Sequence, residues 1–390
     1  MTSTMQVKKK SDISVKWKVA AVLPPSDGQM KSLGFAGPIN GVSNHVLIIA
    51  GGANFPNGFP WEGGKKYYSD EIHVLQKEGD QFIWNKKVKK SLPAPIAYCG
   101  VTSIDEGVVY AGGENETGIS KKSWLINWNS EDEDIEIKPL PDLPLALTNV
   151  TLTHVDHVVF AAGGDEAKNS SKSFFSLNLN DKNPQWNTLP DLPVALANAT
   201  LIAQRNGLQE NIYLIGGRTK TASGISELHH NTFAFDLNRN EWKKCADISD
   251  GKNISNLSAA AGVAIGKNYI LMIGGDNGTV FHKIETYISE ISKVGSQEEK
   301  EKLTREKNAL SIYHDGFYKG LLLYDTKLNK WEKIGEYPYP AQVTTTAVKW
   351  GNDIVVSNGE IKPGVRTPNV MIGSMPQSQG HIKMQEGKKK

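Results

Sequence analysis

The sequence has few cysteines, no long apolar run and almost no net charge, and each of these shortages excludes a class of protein. Its two cysteines, Cys99 and Cys245, have no CxxC partner and no histidine-rich neighbours, so we predict no metal or redox site. No apolar run reaches the roughly 18 residues that a membrane helix needs. The 44 basic and 42 acidic residues give a formal charge of +2, which provides no strong field for nucleic acid or a membrane surface.

The N-terminal residues show no secretion signal. Residues 1–10 end in three lysines and lead into Ser11-Asp12, where a signal peptide would have an apolar segment. We therefore expect a cytoplasmic protein as the chain is written, and a periplasmic one if a signal peptide has been removed. Residues 1–10 and 377–390 are predicted to be disordered tails, and the oligomeric state does not follow from the sequence.

Glycine is abundant, with 37 residues, and a glycine turn recurs six times. An apolar run ends each time in a pair of small residues, whose last members are Gly52, Gly113, Gly164, Gly217, Gly275 and Gly359. A second apolar segment precedes each run and a third follows it. Most units then continue to a tryptophan, at Trp84, Trp186, Trp242 or Trp331. Alternating aromatic and β-branched residues are typical of strands, so each unit predicts four strands.

Six such units predict one domain over residues 11–376 with an all-β fold, a six-bladed β-propeller of the kelch type. Four-stranded sheets arranged radially cover one another's faces, which a single sheet of this size cannot do alone. An open β-solenoid would have shorter and more uniform repeats. The sixth unit is not followed by a tryptophan strand. The corresponding sequence pattern lies near the N-terminus, around Trp17. We therefore predict that an N-terminal strand, 14–20, closes the last blade.

The interval between Gly275 and Gly359 is the longest and contains an insertion. Apolar residues recur at helical spacing after Gly278, and Ser296-Gln-Glu-Glu299 resembles a capping box. We predict two short helices over residues 279–310, in the fifth blade. The second helix is mostly charged and is interpreted as a solvated surface helix, with a lid over the pocket as the alternative.

The loops after the glycine turns should surround one mouth of the central channel, together with the segments that lead into each first strand. This is the usual place for a small-ligand site in such a fold. These positions form a polar ring that suits a hydroxylated ligand. The ring contains Ala53-Asn54, Glu114-Asn115, Asp165-Glu166, Arg218-Thr219, Asp276-Asn277 and Glu360, with Phe35, Tyr98, Asn149, Asn198 and Gln342 from the first-strand segments.

One glycine turn departs from the others, because Asn358-Gly359 replaces the glycine pair and Glu360 follows it. A carboxylate and a guanidinium six residues apart, Glu360 and Arg366, can converge from one structured loop. Glu360 would then do acid/base work, and Arg366 would hold a ligand carboxylate through a forked pair of hydrogen bonds. A salt bridge that only holds the loop together is the alternative.

The segment NGEIKPGVRT (358–367) resembles the NGE-x-KPG-x-RT signature of bacterial sialic acid mutarotases, also called N-acetylneuraminate epimerases, which are six-bladed kelch propellers. Two further stretches are similar to that family, LGFAGPINGVSNHVLIIAGGANFPNG (33–58) and GGKKYYSDEIHVL (63–75). In the founding members the NGE motif is central and runs on into the FAG stretch, whereas here it is near the C-terminus. The chain therefore resembles a cyclically permuted group, an arrangement that a ring of blades tolerates.

The resemblance implies an isomerase that interconverts the α and β anomers of N-acetylneuraminate by acid/base-assisted ring opening, without a metal or another cofactor. It implies that Glu360 carries the proton and that Arg366 holds the C1 carboxylate. The weaker candidates for substrate binding, each of which has an alternative role as a turn or cap residue, are Asn54, Asn149, Asn198, Arg218 and Lys362.

Other functions remain as alternatives. A non-catalytic kelch interaction or sugar-binding module would need neither the altered turn nor the carboxylate and arginine pair. A sialidase would have Asp-box repeats of the form SxDxGxxW, and none is present. A copper radical oxidase would need a seventh blade and a Tyr/Cys/His constellation. The predicted partner is therefore a small sugar acid, with no nucleic acid and no membrane.

Overall fold

Six four-stranded antiparallel sheets make up the computed structural model, which describes residues 13–26 and 28–375. The first strands of neighbouring blades contact one another all the way around, so the six sheets close into a propeller about a central channel. This confirms the predicted all-β six-bladed propeller. The tails predicted at 1–10 and 377–390 lie outside the described residues.

The strands of each blade are given from the channel outward. Blade 1 has Ile39–Ser43, Val46–Ala50, Ile72–Glu78 and Gln81–Asn85. Blade 2 has Gly100–Ile104, Gly107–Ala111, Ser123–Asn129 and Asp134–Leu140. Blade 3 has Thr151–Val155, Val158–Ala162, Phe174–Asn178 and Trp186–Thr188. Blade 4 has Thr200–Arg205, Glu210–Ile215, Thr232–Asp236 and Glu241–Lys244.

Blades 5 and 6 include the irregular parts of the ring. Blade 5 has Ala261–Ile265, Tyr269–Ile273, Gly320–Asp325 and Lys330–Glu336. Blade 6 has Ala347–Trp350, Asp353–Ser357 and Asn369–Ser374, and its outermost strand is Lys16–Val22 from the other end of the chain. That strand pairs antiparallel with Asn369–Ser374, so the two ends of the described chain meet in one sheet.

Short hairpins extend four of the blades on the side of the glycine turns. They pair Ala53–Asn54 with Tyr67–Tyr68, Glu114–Asn115 with Gly118–Ile119, Arg218–Thr219 with Glu227–Leu228, and Glu360–Lys362 with Val365–Arg366. A single-turn 3₁₀ helix, Pro60–Glu62, lies within the first of these loops. All four hairpins follow a second strand, so they project side chains towards the same mouth of the channel.

Hydrophobic packing between blades holds the ring together. Each of the six apolar core clusters combines buried side chains of two neighbouring blades, such as Ile48 and Val74 of blade 1 with Tyr110 and Ile126 of blade 2. Second strands such as Val46–Ala50 are buried at every position, because a blade is covered on both faces. Stability therefore depends on closure of the whole ring.

The recurring tryptophans have a common role at the outer edge of the blades. The indole N–H of Trp84, Trp186, Trp242 and Trp331 donates in each case to a backbone carbonyl that follows the fourth strand of the preceding blade or ends it, at 2.9 to 3.1 Å. Two of those carbonyls belong to prolines of the inter-blade turns, Pro141 and Pro190. The tryptophan and the proline turn thus form one joint between blades.

The insertion in blade 5 forms two helices between the second and third strands, α1 (Thr279–Lys293) and α2 (Gln297–Ile312). Ser296 caps α2 as predicted, since its hydroxyl accepts the backbone N–H of Glu299 at 3.4 Å. Helix α1 is fastened to blade 4 by Glu285, whose carboxylate accepts the backbone N–H and the hydroxyl of Ser226 at 2.7 and 2.8 Å. Within the described residues, neither helix is long and apolar enough to cross a membrane.

Candidate active site

A closed ring of backbone hydrogen bonds frames the mouth of the channel. It is formed by one residue in front of each first strand, and all six have left-handed backbones with φ between 51° and 61°. The N–H of each residue donates to the carbonyl of its counterpart in the preceding blade, from Tyr98 to Gly37 at 2.9 Å round to Gly37 donating to Thr344 at 2.7 Å. The members of this mouth ring are Gly37, Tyr98, Asn149, Asn198, Ala259 and Thr344.

The residue after each glycine turn is fastened to this mouth ring by a β-bridge. Its partner is in every blade the residue just before the ring member, for example Ser258 for Asp276 and Val343 for Glu360. The six bridged residues are Ala53, Glu114, Asp165, Arg218, Asp276 and Glu360. Five charged side chains are therefore held at equivalent positions around one mouth, where the glycine turns predicted them.

The channel behind the mouth ring encloses a cavity of about 400 Å³. Its walls are the first strands of blades 2 to 6, in which small residues and threonines such as Thr102, Thr151 and Thr200 dominate, and blade 1 contributes Gly37 and Pro38. Neither Glu360 nor Arg366 is among the lining residues, whereas Tyr98, Asn149 and Asn198 are. The charged chemistry thus lies on the outer side of the ring, and the cavity lies on the inner side.

The altered turn of blade 6 keeps the backbone geometry of a glycine pair. Asn358 is left-handed, with φ of 58°, a conformation that asparagine tolerates better than most residues. Its fully buried side chain accepts the N–H of Phe35 at 3.2 Å, and the N–H of Gly359 donates to the Phe35 carbonyl at 2.7 Å. The turn therefore joins blade 6 to the start of blade 1 and fixes where Glu360 begins.

Glu360 and Arg366 face each other across the hairpin that follows this turn, as the spacing suggested. They are paired in register, and Arg366 Nη1 lies 3.0 Å from Glu360 Oε1, which also accepts the N–H of Gly364 at 2.6 Å. The side chains are 18% and 5% exposed. Among the described residues, Glu360 Oε2 and Arg366 Nη2 have no hydrogen-bond partner. The salt bridge therefore exists and leaves one polar atom of each residue unused.

Two neighbours in blade 1 hold the guanidinium of Arg366. Its Nε donates to the carbonyl of Ala53 at 3.4 Å, and its central carbon lies 4.7 Å from the centre of the Phe55 ring. A cation over an aromatic face is attracted by the electron density of the ring. Phe55 belongs to the FAG-to-PNG stretch, so the two similar sequence segments meet in space at this point.

A second polar cluster surrounds Tyr98 and joins two predicted ring residues, Tyr98 and Glu114, to two residues that were not predicted, Lys66 and Tyr68. Lys66 Nζ lies 5.1 Å from the centre of the Tyr98 ring and 3.4 Å from Glu114 Oε1, and the Tyr68 hydroxyl donates to Glu114 Oε1 at 2.9 Å. Burial raises the pKa of the Tyr98 phenol, against the opposing charges of Lys66 and Arg366. Burial likewise raises the pKa of Tyr68 to about 12, with Lys66 opposing. Both phenols are therefore neutral hydrogen-bond donors at neutral pH.

Gly37 makes room for Tyr98. Its backbone is left-handed, with φ of 61°, and a Cβ atom there would lie 2.5 Å from Tyr98 Cδ1. The aromatic ring of Tyr98 can thus pack against the backbone of Gly37 only because glycine has no side chain. Two sequence segments contribute to this cluster, FAGP around Gly37 and GGKKYY around Lys66. They are far apart in the chain, so the sequence alone did not show that they meet.

Asp276 and His314 form a third group at the two ends of the helical insertion. Asp276 Oδ1 accepts the N–H of Gly278 at 2.8 Å, and His314 Nδ1 accepts the N–H of Gly316 at 2.9 Å. Because Nδ1 is an acceptor, the proton of a neutral His314 is on Nε2. The backbone N–H of Tyr318 donates to the carbonyl of Gly275 at 3.1 Å, so the chain returns from the helices beside Asp276.

The charges around this group shift both pKa values. Burial raises the pKa of Asp276, and Glu360 adds to this effect, while the Gly278 N–H, His314 and His282 oppose it. Burial lowers the pKa of His314 and Lys362 acts in the same direction, while Asp276, Asp315 and Glu360 oppose. Asp276 was recognised as a mouth residue from its place after a glycine turn, but nothing in the sequence indicated its partner His314.

Two of the predicted binding residues contact a buried aspartate. Arg218 grips Asp165 with Nη2 at 2.6 Å and Nη1 at 3.5 Å, and Asn149 Nδ2 lies 3.5 Å from the same carboxylate. Ser170 donates to Asp165 at 2.8 Å, and Lys220 Nζ is 3.7 Å away. Arg218 and Asn149 are thus on the predicted mouth, with much of their hydrogen-bonding capacity already used.

The other three predicted binding residues differ in availability. Asn54 is only 2% exposed, and its Nδ2 donates to the carbonyl of Gly34 at 3.1 Å, so it fixes the junction of blades rather than facing open space. Asn198 is half-buried in the mouth ring, and its amide has no hydrogen-bond partner in the described part of the chain. Lys362, on the Glu360 hairpin, forms no ion pair with any described residue.

Metal ligands are not assembled in the described part of the chain. No group of three or more His, Cys, Asp or Glu side chains has an arrangement that could hold a metal ion in residues 13–26 and 28–375. Cys99 and Cys245 are free thiols, and burial raises the pKa of each. The polar groups of the mouth are therefore carboxylates, amides, phenols, an imidazole and basic side chains.

Comparison with known proteins identifies N-acetylneuraminate epimerases among the relatives of this chain. The family model described as N-acetylneuraminate epimerase matches residues 140–387, more than half of the chain. The N-acetylneuraminate epimerase of Haemophilus influenzae is 29% identical over 236 residues, which cover 58% of this chain and 57% of that protein. The Yersinia enterocolitica protein of the same name is 23% identical over 241 residues, with coverage of 60% and 57%. The chain thus spans little more than half the length of the curated relatives it matches.

Proposed function

Because the chain belongs to the N-acetylneuraminate epimerase family, we propose that it is an isomerase that interconverts the α and β anomers of N-acetylneuraminate. The observation that supports this most is the Glu360 and Arg366 pair, held on one hairpin at the channel mouth with an unused oxygen and an unused N–H group. Glu360 is paired directly across its hairpin with Arg366, whereas Arg218 is paired across its own hairpin with Leu228 and forms its ion pair with Asp165 of the preceding blade.

The reaction needs proton transfer and positioning. A proton leaves the anomeric hydroxyl, the bond between C2 and the ring oxygen breaks, the ring oxygen gains a proton, and the ring closes on the other face. Arg366 and the Gly364 N–H hold Glu360 by Oε1, which fixes the direction of the carboxylate. Oε2 then accepts the proton of the anomeric hydroxyl.

Arg366 and Lys362 supply positive charge for the C1 carboxylate of the sugar. With Nη1 bound to Glu360 and Nε directed to Ala53, Arg366 binds the sugar carboxylate chiefly through Nη2. Lys362 has no ion-pair partner among the described residues and provides the second contact. Charge-assisted hydrogen bonds of this kind are stronger than neutral ones and orient the substrate.

The amides on the other side of the mouth recognise hydroxyl and N-acetyl groups. Asn198, whose amide has no hydrogen-bond partner within residues 13–26 and 28–375, makes the direct contact in this proposal. Asn149 and Arg218 both donate to Asp165 and form part of the wall of the mouth. The buried hydrogen bond of Asn54 fixes the segment that contains Phe55. The partner is a small sugar acid, bound at the mouth without a cofactor.

Proton NMR of freshly released α-N-acetylneuraminate tests the proposal. Wild-type protein should speed the appearance of the β anomer above the spontaneous rate in protein-free buffer. Glu360→Gln should lower this enzymatic rate by about 100-fold or more, the usual worth of an acid/base group. Glu116→Gln removes an exposed carboxylate from the corresponding hairpin turn of blade 2 and should match wild type.

Three outcomes of this experiment are distinct. Failure of the wild type to accelerate anomer exchange would refute the isomerase function. Binding of the sugar without acceleration would identify a sugar-binding module instead. Full activity of Glu360→Gln would leave the function in place and remove Glu360 from the mechanism.

A further inference from the structure

We propose that Asp276 is a second acid/base residue of this site, which exchanges a proton with the ring oxygen of the sugar while Glu360 exchanges one with the anomeric oxygen, and that His314 positions it. This inference rests on the proposed function, since it divides between two carboxyl groups the proton transfers of the same reaction.

The backbone places the two carboxyl groups at equivalent positions in adjacent blades. Asp276 exchanges two backbone hydrogen bonds with Ser258, at 2.8 and 2.9 Å, and Glu360 exchanges two with Val343, both at 2.9 Å. The next residues, Ala259 and Thr344, are joined directly, as the Thr344 N–H donates to the Ala259 carbonyl at 3.3 Å. Neighbouring segments of one rigid hydrogen-bonded ring therefore hold both side chains.

The helical insertion brings His314 between these two positions. The segment after α2 is fastened to Gly275 through Tyr318, and a Cβ atom on Gly316 would lie 3.6 Å from the carbonyl of Ile361 in the Glu360 hairpin. His314 thus lies between the blade 5 turn and the blade 6 hairpin. With Nδ1 occupied by the Gly316 N–H, its Nε2–H is the group available to a neighbouring carboxyl oxygen.

The surroundings make one carboxyl group a base and the other an acid. Glu360 accepts two donors on Oε1, one of them a guanidinium. Asp276 accepts only the Gly278 N–H among the described residues, and burial together with the charge of Glu360 raises its pKa. The proton-donating role therefore falls to Asp276, and the proton-accepting role falls to Glu360, which lies beside a guanidinium.

The proton balance closes over one cycle. On ring opening, Glu360 takes the proton of the anomeric hydroxyl, the C2 carbonyl forms, and protonated Asp276 gives its proton to the departing ring oxygen. On closure from the other face, ionised Asp276 takes the proton back from that hydroxyl as it attacks C2, and Glu360 returns its proton to the new anomeric oxygen. Both residues return to their starting states, so no proton has to be exchanged with water.

Rates and pH profiles of Asp276→Asn test the role. Asparagine keeps the acceptor for the Gly278 N–H, so the fold should be retained, while the enzymatic rate should fall by about 100-fold or more. Wild-type activity should decline as the pH rises through the pKa of Asp276, because the proton donor is then lost. Asp276→Asn should lack this alkaline decline, whereas replacement of a purely structural residue would lower the rate and leave the decline in place.

Asp315→Asn is the control. It removes an exposed carboxylate from the same loop as His314 and should behave as wild type.

A titration of ¹³C-labelled aspartate side chains separates this inference from the proposed function. The Asp276 signal, assigned by its loss in Asp276→Asn, should titrate above the exposed aspartates and move to lower pH in Glu360→Gln. If it does so while the wild type fails to convert N-acetylneuraminate, the acid/base pair stands and the substrate assignment fails. If Asp276 titrates with the exposed aspartates and ignores Glu360→Gln, the inference is overturned whatever the activity.

Discussion

Two carboxylate and arginine pairs lie on the same mouth, and they differ in what they leave unused. Asp165 and Arg218 belong to blades 3 and 4, and Asp165 is fully buried with both oxygens engaged by Arg218, Ser170 and Asn149. Glu360 and Arg366 belong to one hairpin of blade 6, and Glu360 is partly exposed with only Oε1 engaged. Within the described residues, the carboxylate is fully engaged in the first pair and has a free oxygen in the second.

This difference separates structural from functional use of an ion pair. A buried pair whose hydrogen bonds are all satisfied joins two blades and has little left for a ligand. A pair with one free carboxylate oxygen and one free guanidinium N–H can hold its own geometry and still bind. The position after a glycine turn is therefore not enough to identify an active-site residue, and the hydrogen bonds already made must be counted.

The largest expected contrast is in stability. Asp165→Asn should lower the free energy of unfolding by about 3 kcal/mol, because the Arg218 guanidinium would stay buried without its counter-charge. Glu360→Gln should lower it by less, about 1 kcal/mol, because the Glu360 side chain is 18% exposed and Arg366 keeps its contacts with Ala53 and Phe55. Urea unfolding of both variants measures the difference. Equal losses would show that the two pairs are structurally alike.

The fold could be predicted because its signals are local. Each glycine turn, tryptophan and proline turn lies within one unit, and their repetition implies radial packing of the units. Even the closing strand was indicated by the pattern around Trp17. It was predicted at 14–20 and is observed at Lys16–Val22, so it begins and ends two residues later than expected. The two helices followed in the same way from apolar spacing and the cap at Ser296.

The site was only partly predictable because much of it depends on contacts between blades. Glu360 and Arg366 are close in sequence, so a hairpin brings them together. The charge of Arg366 influences the pKa of Tyr98 from a different blade, and Asp276 and His314 are separated in the chain by both helices. The saturation of Arg218 depends likewise on an aspartate from the preceding blade, which no spacing within a unit reveals.

A moderate effect is expected from the aromatic support of Arg366. Arg218 donates to both carboxylate oxygens of Asp165. Arg366 donates to one oxygen of Glu360, and its guanidinium carbon lies 4.7 Å from the centre of the Phe55 ring. Phe55→Leu keeps an apolar side chain but removes the aromatic ring. This should weaken the interaction that positions Arg366 by about 1 kcal/mol and lower kcat/KM by about 5-fold. Phe59→Leu alters an exposed aromatic residue of the same loop and should leave kcat/KM unchanged. Equal values for Phe55→Leu and wild type would show that Glu360 alone positions Arg366.

The smallest effect is expected from the two lysines that accompany the pairs. Lys220 lies 3.7 Å from Asp165, and its charge is already compensated, whereas Lys362 forms no ion pair among the described residues. Lys362→Met should therefore raise KM for N-acetylneuraminate by about 3-fold with little change in kcat, and the increase should shrink at high salt because the lost attraction is partly screened. Lys220→Met is the matched control and should leave KM unchanged. A larger rise in KM for Lys220→Met than for Lys362→Met would place the sugar carboxylate beside the saturated pair rather than the open one.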